Sequence, residues 1–403
     1  MNYGGPLLAE KHDCTGCGAC AAICPAYCLT MKQDRYGFPY PQPDHSKCLR
    51  CDRCTQVCPV LHPPSLHTEL LKSFAACADN DDLRRNSSSG GIFSALAEII
   101  LSRKGLVCGA AYDDSFQVRH CIIDRREDLE KLRGAKYSQS DIKDCFQQIR
   151  AALKKGQEVL FTGTPCQAAG LKKFLGREEP GLVIIDFVCH GVPAPGAWQA
   201  YLRYRSREDA EGMAPTAINQ RFKSTGWSHY RYSCLYKYGD RKHIILNSED
   251  PYMKIFIGNA ILRDSCAHCR FKGGERCSDL TLGDFWGIWD LDPEMDDDKG
   301  TSLVLLHSWK GWKLFKEAAG SFHSKETDFM RAAAANPSLI TSSIPHAERE
   351  KILNLFCRGR IEQAVKIYEG SERRLLKRIA ARFAADRKER EFHEESFRDY
   401  GCV

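Results

Sequence analysis

Residues 14–25 read CTGCGACAAICP and residues 48–59 read CLRCDRCTQVCP, so four cysteines and a proline recur at a shift of 34. Each Cys-x2-Cys-x2-Cys-x3-Cys-Pro run offers three thiolates on a tight loop and a fourth carried away on a short helix. Three such thiolates hold three corners of a cubane, and the fourth reaches the other cluster. The spacing therefore assigns one 4Fe–4S centre to Cys14, Cys17, Cys20 and Cys58, and a second to Cys48, Cys51, Cys54 and Cys24. Gly16 and Gly18 let the backbone turn closely around the sulfurs, where amide donors stabilise a cluster. Zinc also takes four cysteines, but usually as two separated pairs rather than three-plus-one runs.

Working outward, nine of the 21 cysteines fall within the first 58 residues, and over residues 10–60 the chain resembles bacterial two-cluster ferredoxins. The 403 residues suggest roughly two or three domains. Hydrophobic residues are 43% and charged residues 27%, enough apolar material for a sizeable core and too much for general disorder. FSALAEIIL (93–101) is the longest apolar run and Glu98 interrupts it, so no membrane span is expected. MNYGGPLLAEKHDC has no basic region followed by an apolar stretch. Without an export signal, so many cysteines point to thiolate ligands in a reducing, cytoplasmic setting rather than to disulfides. The formal surplus of +6 is carried wholly by 373–390, with eight Lys/Arg against two acids. No nucleic-acid partner is expected of the balanced remainder. The basic stretch within 372–392, with its stripe of Leu375, Ile379 and Phe383, reads as a helix that contacts a partner or a surface.

The expected fold class combines α+β and α/β: a ferredoxin module over 1–65, a central α/β domain with an antiparallel portion over 72–320, and a helical extension over 325–403. PVLHPPSLHT (59–68) reads as the first linker. FAACA, LVCGAAY, VRHCII, EVLFTG and LVIIDFVC read as strands. They alternate with the helices GIFSALAEIILSRKG and IKDCFQQIRAALKKG, which indicates a partly parallel sheet. HYRYSCLYK, a YGDR turn and HIILN predict a hairpin. LTLGDFWGIWD and SLVLLHSW read as further strands, and HAEREKILNLFCRG, RIEQAVKIYEG and the segment from about Glu372 as helices.

Three more thiolates cluster at Cys266, Cys269 and Cys277, and a strand-end cysteine must complete the set. Cys189 in FVCHGVP is favoured over Cys166 in FTGTPCQ, because the latter loop has another task. A zinc site using His268 or His190 is the alternative chemistry. Three loops suit a dinucleotide-type cofactor. Ser88, Ser89, Gly90 and Gly91 precede a helix whose N-terminus favours an anion. Lys136, Tyr137 and Ser138 add a cation, a ring and a hydroxyl. Thr162, Gly163, Thr164, Cys166 and Gln167 lie where a buried strand ends and a helix starts, as ligand sites in open α/β sheets do. No Gly-x-Gly-x-x-Gly or Walker A run is present. His190 is the candidate catalytic group, with Arg221 and His229 as further polar candidates. The acidic run 296–298 reads as a solvated turn.

The ordered set SSSGGIFSAL, RGAKYSQS, FTGTPCQAAGL, FVCHGVPAP, LRDSCAHCRFK, DLTLGDFWG and DDDKGTSLVLLHS resembles the family of beta subunits of coenzyme F420 hydrogenases and dehydrogenases, over about 70–320. The resemblance implies an iron–sulfur flavoprotein oxidoreductase. A third 4Fe–4S cluster would lie beside FAD held by the SSSGG, KYSQS and GTPCQ loops. Single electrons would pass through the clusters to the flavin, and a pair onward to a small organic acceptor, F420-like or another. The donor would be a redox partner protein or reduced ferredoxin. The rival is a flavin-free electron-transfer or docking subunit of a larger redox complex.

Overall fold

The structure, a computed structural model, describes residues 6–67, 72–375 and 377. The first module is an antiparallel pair of β1 (Leu29–Gln33) and β2 (Pro39–Pro43), with the short helices Ala19–Ile23 and Arg53–Gln56 carrying Cys20 and Cys54. Pro39, Pro41 and Pro43 remove ladder donors from β2, so this sheet stops at two strands.

The main sheet collects β3 (Lys72–Ala78), β4 (Leu106–Tyr112), β5 (Val118–Ile123), β6 (Val159–Gly163) and β7 (Leu182–Phe187). The chain then leaves to build a separate antiparallel sheet of β8 (Ala217–Phe222), β9 (Ser233–Tyr238) and β10 (Arg241–Leu246). It returns with β11 (Leu280–Asp284), β12 (Ser302–Leu306) and β13 (Phe322–Glu326), giving the order β13-β3-β12-β11-β7-β6-β4-β5. β4, β6, β7 and β11 are mutually parallel, and the other pairings are antiparallel. Cover on both faces explains the near-continuous apolar runs in β6 and β7 of the parallel centre and in antiparallel β12. Helices Ile92–Ser102 and Trp309–Glu317 cover one face through Ile92, Leu96, Ile100 and Phe315. Helices Cys145–Lys154 and Pro165–Leu175 cover the other through Phe146, Ile149 and Phe174. The first module packs outside this second pair, with Cys17 seated against Gly170.

The expected hairpin forms as β9 and β10. LTLGDFWGIWD is only half strand: β11 ends at Asp284, and Gly287 at φ +78 turns the chain into the short helix Ile288–Leu291. A boundary at 325 falls inside β13, which pairs with β3. Beyond it, Ala332, Ala333 and Leu339 pack into one core cluster with Trp227 and Phe285. Helix Arg349–Cys357 sends Ile352, Leu353 and Phe356 into the aromatic core of Trp198, Tyr201, Tyr236 and Tyr252. The C-terminal helices thus close the core of the antiparallel unit. Helix 361–375 also runs unbroken past Glu372, in place of a separate helix starting there. Apart from those first residues and Lys377, the expected contact stretch 372–392 lies outside the described residues.

Two buried histidines make the fold acid-sensitive. His307 meets the Thr281 hydroxyl at 2.9 Å, and burial pushes its pKa down to about 3. His120 donates to the Thr162 carbonyl at 3.0 Å, and burial takes it to about 4. Both are neutral when folded, whereas an unfolded histidine titrates near ~6.5. Below that pH the unfolded chain binds more protons, so stability falls as pH drops towards the folded values. His307→Gln should flatten the acid branch by up to ~1.4 kcal/mol per pH unit. Urea unfolding at pH 7, 6 and 5 checks this, and identical slopes in variant and wild type would refute it.

Candidate redox site

Cys14, Cys17, Cys20 and Cys58 bound one void of the first module, beneath Gly16 and Gly18. Cys24, Cys48, Cys51 and Cys54 bound a second. These are the two groupings that the repeat spacing assigns. Burial, with Cys14 and Cys58 as neighbouring thiols, pushes the Cys17 thiol up to about 12. Buried thiols that oppose one another's ionisation are the donor set that a cationic iron–sulfur core relieves. Among the described residues, no three His, Cys, Asp or Glu side chains converge tightly enough to share a single ion. The thiols instead stand around a space.

A third thiol group lies between this module and the sheet. Cys166 has Cys269, Cys189 and Cys17 as its charged neighbours, and Cys189 has Cys266 and Cys269. Burial first, then these neighbours, raise both thiols, Cys189 to about 12. Cys277 packs in the same apolar cluster as Cys17, and the charged groups that act most on it are Asp186, Lys172 and Arg276. The cause is strand direction. Cys166 and Cys189 follow the carboxyl ends of adjacent parallel strands β6 and β7, whereas Cys277 precedes the amino end of β11. Cys166 and Cys189, which the sequence offered as alternatives, thus stand together beside Cys269.

At the carboxyl ends of β6, β7 and β11 opens a cavity of about 1250 Å³, larger than the roughly 300–1,000 Å³ of ordinary small-molecule pockets. All three predicted loops reach it. Ser88, Ser89 and Gly91 line it at the N-terminus of helix Ile92–Ser102, Lys136, Tyr137 and Ser138 on one wall, and Thr162, Gly163, Thr164 and Gln167 on another. Gly90 and Cys166 do not line it. Gly90 is jammed beneath the loop, where a Cβ would stand 2.3 Å from the Ala76 carbonyl, and Cys166 belongs to the thiol group. Gln167 and Thr164 close a capping box on helix Pro165–Leu175, and Gln167 also donates to Ser140 Oγ at 2.9 Å. Lys136 Nζ donates to the carbonyls of Arg133 and Gly134 at 2.7 and 3.2 Å, and burial takes its pKa down to about 8. His190 also lines the cavity, its ring held by Ser338 Oγ at 3.3 Å and edge-on to Phe256; burial lowers its pKa. Cys189, its sequence neighbour, lines the same cavity, so thiol group and cavity adjoin.

Other residues order the site in ways the sequence concealed. Arg221 is no free cation on a substrate face. It is buried, paired with Asp284 at 2.8 Å, and bonded to the Ser88 carbonyl and Tyr137 hydroxyl at 3.2 Å each, so it ties two loops together. His229 lines the cavity but is exposed, its ring tilted against Trp289 with centroids 4.5 Å apart. The run Asp296-Asp297-Asp298 is exposed at Asp297 and Asp298, as a solvated turn would be, but it is also tied to neighbouring segments. Asp298 accepts from the Trp227 and Ser228 amides, Asp296 from the Ser228 hydroxyl, and Asp297 from buried Arg84. Arg263, singled out by no motif, is 1% exposed and donates to the Cys14 carbonyl at 2.7 Å, Gln139 Oε1 at 2.9 Å and the Pro39 carbonyl at 3.0 Å. It bolts the first module to the loop that carries Cys266.

A family profile for the C terminus of the coenzyme F420 hydrogenase/dehydrogenase beta subunit matches residues 156–328, and its N-terminal counterpart matches 73–146. The chain belongs to this family of beta subunits. A 4Fe-4S dicluster domain profile covers residues 13–61, so an iron–sulfur module precedes the family domain. The chain is 28% identical over 201 residues to one subunit of the F(420)H(2) dehydrogenase of Methanosarcina mazei, covering 46% of this chain and 56% of that one. It is 26% identical over 171 residues to coenzyme F420-dependent sulfite reductase of Methanocaldococcus jannaschii, covering 41% of this chain and 26% of the relative. It thus spans about half and about a quarter of those two curated relatives. A polypeptide from the F420-reducing [NiFe] hydrogenase complex of Methanosarcina barkeri aligns over 75% of this chain and 92% of its own, at 16% identity and a TM-score of 0.45, too low to carry an argument. Among the described residues, no helix is long and apolar enough to cross a membrane.

Proposed function

We propose that this chain is an iron–sulfur flavoprotein oxidoreductase, passing single electrons along three 4Fe–4S clusters to FAD and an electron pair onward to a small organic acceptor. The observation that carries this reading is the line of thiol groups. It begins at exposed Cys51, passes the group of Cys14, Cys17, Cys20 and Cys58, and continues from Cys17 to Cys166. From there Cys189 reaches the cavity wall. Cys166, Cys189, Cys266 and Cys269 are the ligands proposed for the third cluster. FAD, when bound, supplies the conversion between one-electron and two-electron chemistry.

The chain's own residues do the holding. Ser88, Ser89 and Gly91, at the start of helix Ile92–Ser102, receive a phosphate group, because a helix N-terminus and its dipole favour an anion there. Buried Lys136 adds a cation to the same cavity. Arg221 keeps the Ser88 and Tyr137 loops in register. His190, whose pKa burial lowers, follows Cys189 on the cavity wall and is proposed to orient the acceptor. The acceptor is an F420-like deazaflavin or another small molecule, and the electron donor a redox protein.

The test is anaerobic purification with iron, acid-labile sulfide and released flavin counted per chain. About twelve irons and one FAD support three cubanes wired to a flavin. About eight irons and no flavin after reconstitution would leave a ferredoxin module attached to a docking domain, and the enzyme reading would be lost.

A further inference from the structure

The outer void of the first module holds five cysteines rather than four. Cys28 lines it together with Cys24, Cys48, Cys51 and Cys54, and it is 4% exposed. Its Sγ lies 3.4 Å from Cys24 Sγ, within reach of a sulfur hydrogen bond. A cubane takes four thiolates, and the repeat supplies Cys24 as the fourth. Cys24 is deprotonated when it is a ligand, so the only proton between the two sulfurs is the one on Cys28.

The internal repeat shows that this arrangement is one-sided. The shift of 34 that carries Cys24 onto Cys58 carries Cys28 onto His62. His62 is exposed and takes no part in the void bounded by Cys14, Cys17, Cys20 and Cys58. The two halves therefore match in their ligands and differ in the residue four places beyond the Cys-Pro cysteine. One half puts a thiol donor against a ligand sulfur and the other does not.

We propose that Cys28 donates an S–H hydrogen bond to the Cys24 ligand and raises the reduction potential of the outer cluster above that of its twin. The physical cause is charge. Reduction adds one electron to the cluster with no bond broken, and a donor on a ligand sulfur stabilises the more negative state. The proton stays on Cys28 throughout. The outer cluster, whose Cys51 is exposed, then takes an electron from a weaker donor than its twin could use. Cys28 is a positioning residue in this scheme, acting through Cys24.

This inference rests on the cluster assignment above, and the experiment separates the two. Full-length protein is prepared anaerobically as wild type, Cys28→Ala and Cys28→Ser, and each is titrated with a reductant while the reduced clusters are followed by paramagnetic resonance. Wild type should show two ferredoxin midpoints. Cys28→Ala should keep its iron and lower the higher midpoint by about tenfold in the reduction equilibrium, which is ~59 mV for one electron. Cys28→Ser, whose hydroxyl still donates, should retain most of the separation. Iron-replete Cys28→Ala with unmoved midpoints would overturn the tuning role. So would loss of about four irons, since Cys28 would then be a ligand. A wild-type chain that holds no iron would sink the cluster assignment itself.

Discussion

Cys166→Ala should lower the iron of the anaerobically prepared protein from about twelve to about eight per chain, while Cys277→Ala should leave it unchanged. Cys166 has the thiols of Cys269, Cys189 and Cys17 as charged neighbours, so it stands where the proposed inner cluster would meet the iron–sulfur module. Removing it takes away a ligand and the junction of the wire together. Electrons from dithionite should still fill the two ferredoxin clusters, but reduction of an acceptor in the cavity should stop. Cys277 lacks any thiol among its charged neighbours and packs in the apolar cluster with Phe161 and Ile184. Its alanine variant loses one buried sulfur and on the order of 1 kcal/mol. The opposite pattern, iron lost with Cys277 and kept without Cys166, would overturn the ligand set.

Arg263→Met should detach the ferredoxin module without removing its iron. The guanidinium satisfies three acceptors on three segments and lies 4.1 Å over the Tyr40 ring. Two of those acceptors are backbone carbonyls of the first module, at Cys14 and Pro39. A methionine fills similar space but leaves both without their donor, and each buried unsatisfied group costs roughly 1–3 kcal/mol. A loss on the order of 4 kcal/mol shifts the docking equilibrium about a thousandfold. Arg263→Lys should rescue little, since a point charge cannot reproduce the planar fork. Limited proteolysis should then cut between the module and the rest of the chain. Stopped-flow reduction should fill the ferredoxin clusters normally and the cavity acceptor slowly. A variant as protease-resistant and as fast as wild type would show that the module is held by other contacts.

Much of this site is legible without a structure because its parts are local. The two cysteine runs carry their grouping in their own spacing, so the four cysteines assigned to each centre line one void, with Cys28 as a fifth in the second. The three cavity-lining loops are legible for the same reason. Each is a short stretch rich in small or hydroxyl residues, and such loops meet at the carboxyl ends of parallel strands. The β9–β10 hairpin and the helices Ile92–Ser102 and Cys145–Lys154 likewise follow from patterns a dozen residues long.

What stayed hidden depends on strands that are distant in sequence and adjacent in space. Which cysteines join Cys266 and Cys269 is decided by β6 and β7 lying side by side in parallel, with Gly163 opposite Asp186, so that the residues just past both strands emerge together. Sequence proximity favoured Cys277, but it lies at the other end of its strand. The acidic run 296–298 looks free in one dimension, yet two separate segments, at Arg84 and at Trp227–Ser228, fold against it and bring a guanidinium, two amides and a hydroxyl to its carboxylates. Arg263 carries no motif because its three partners come from residues 14, 39 and 139. Short-range chemistry names the ligands that one loop can supply. Long-range register decides which loops stand together, because side chains from different strands meet only after the sheet has paired.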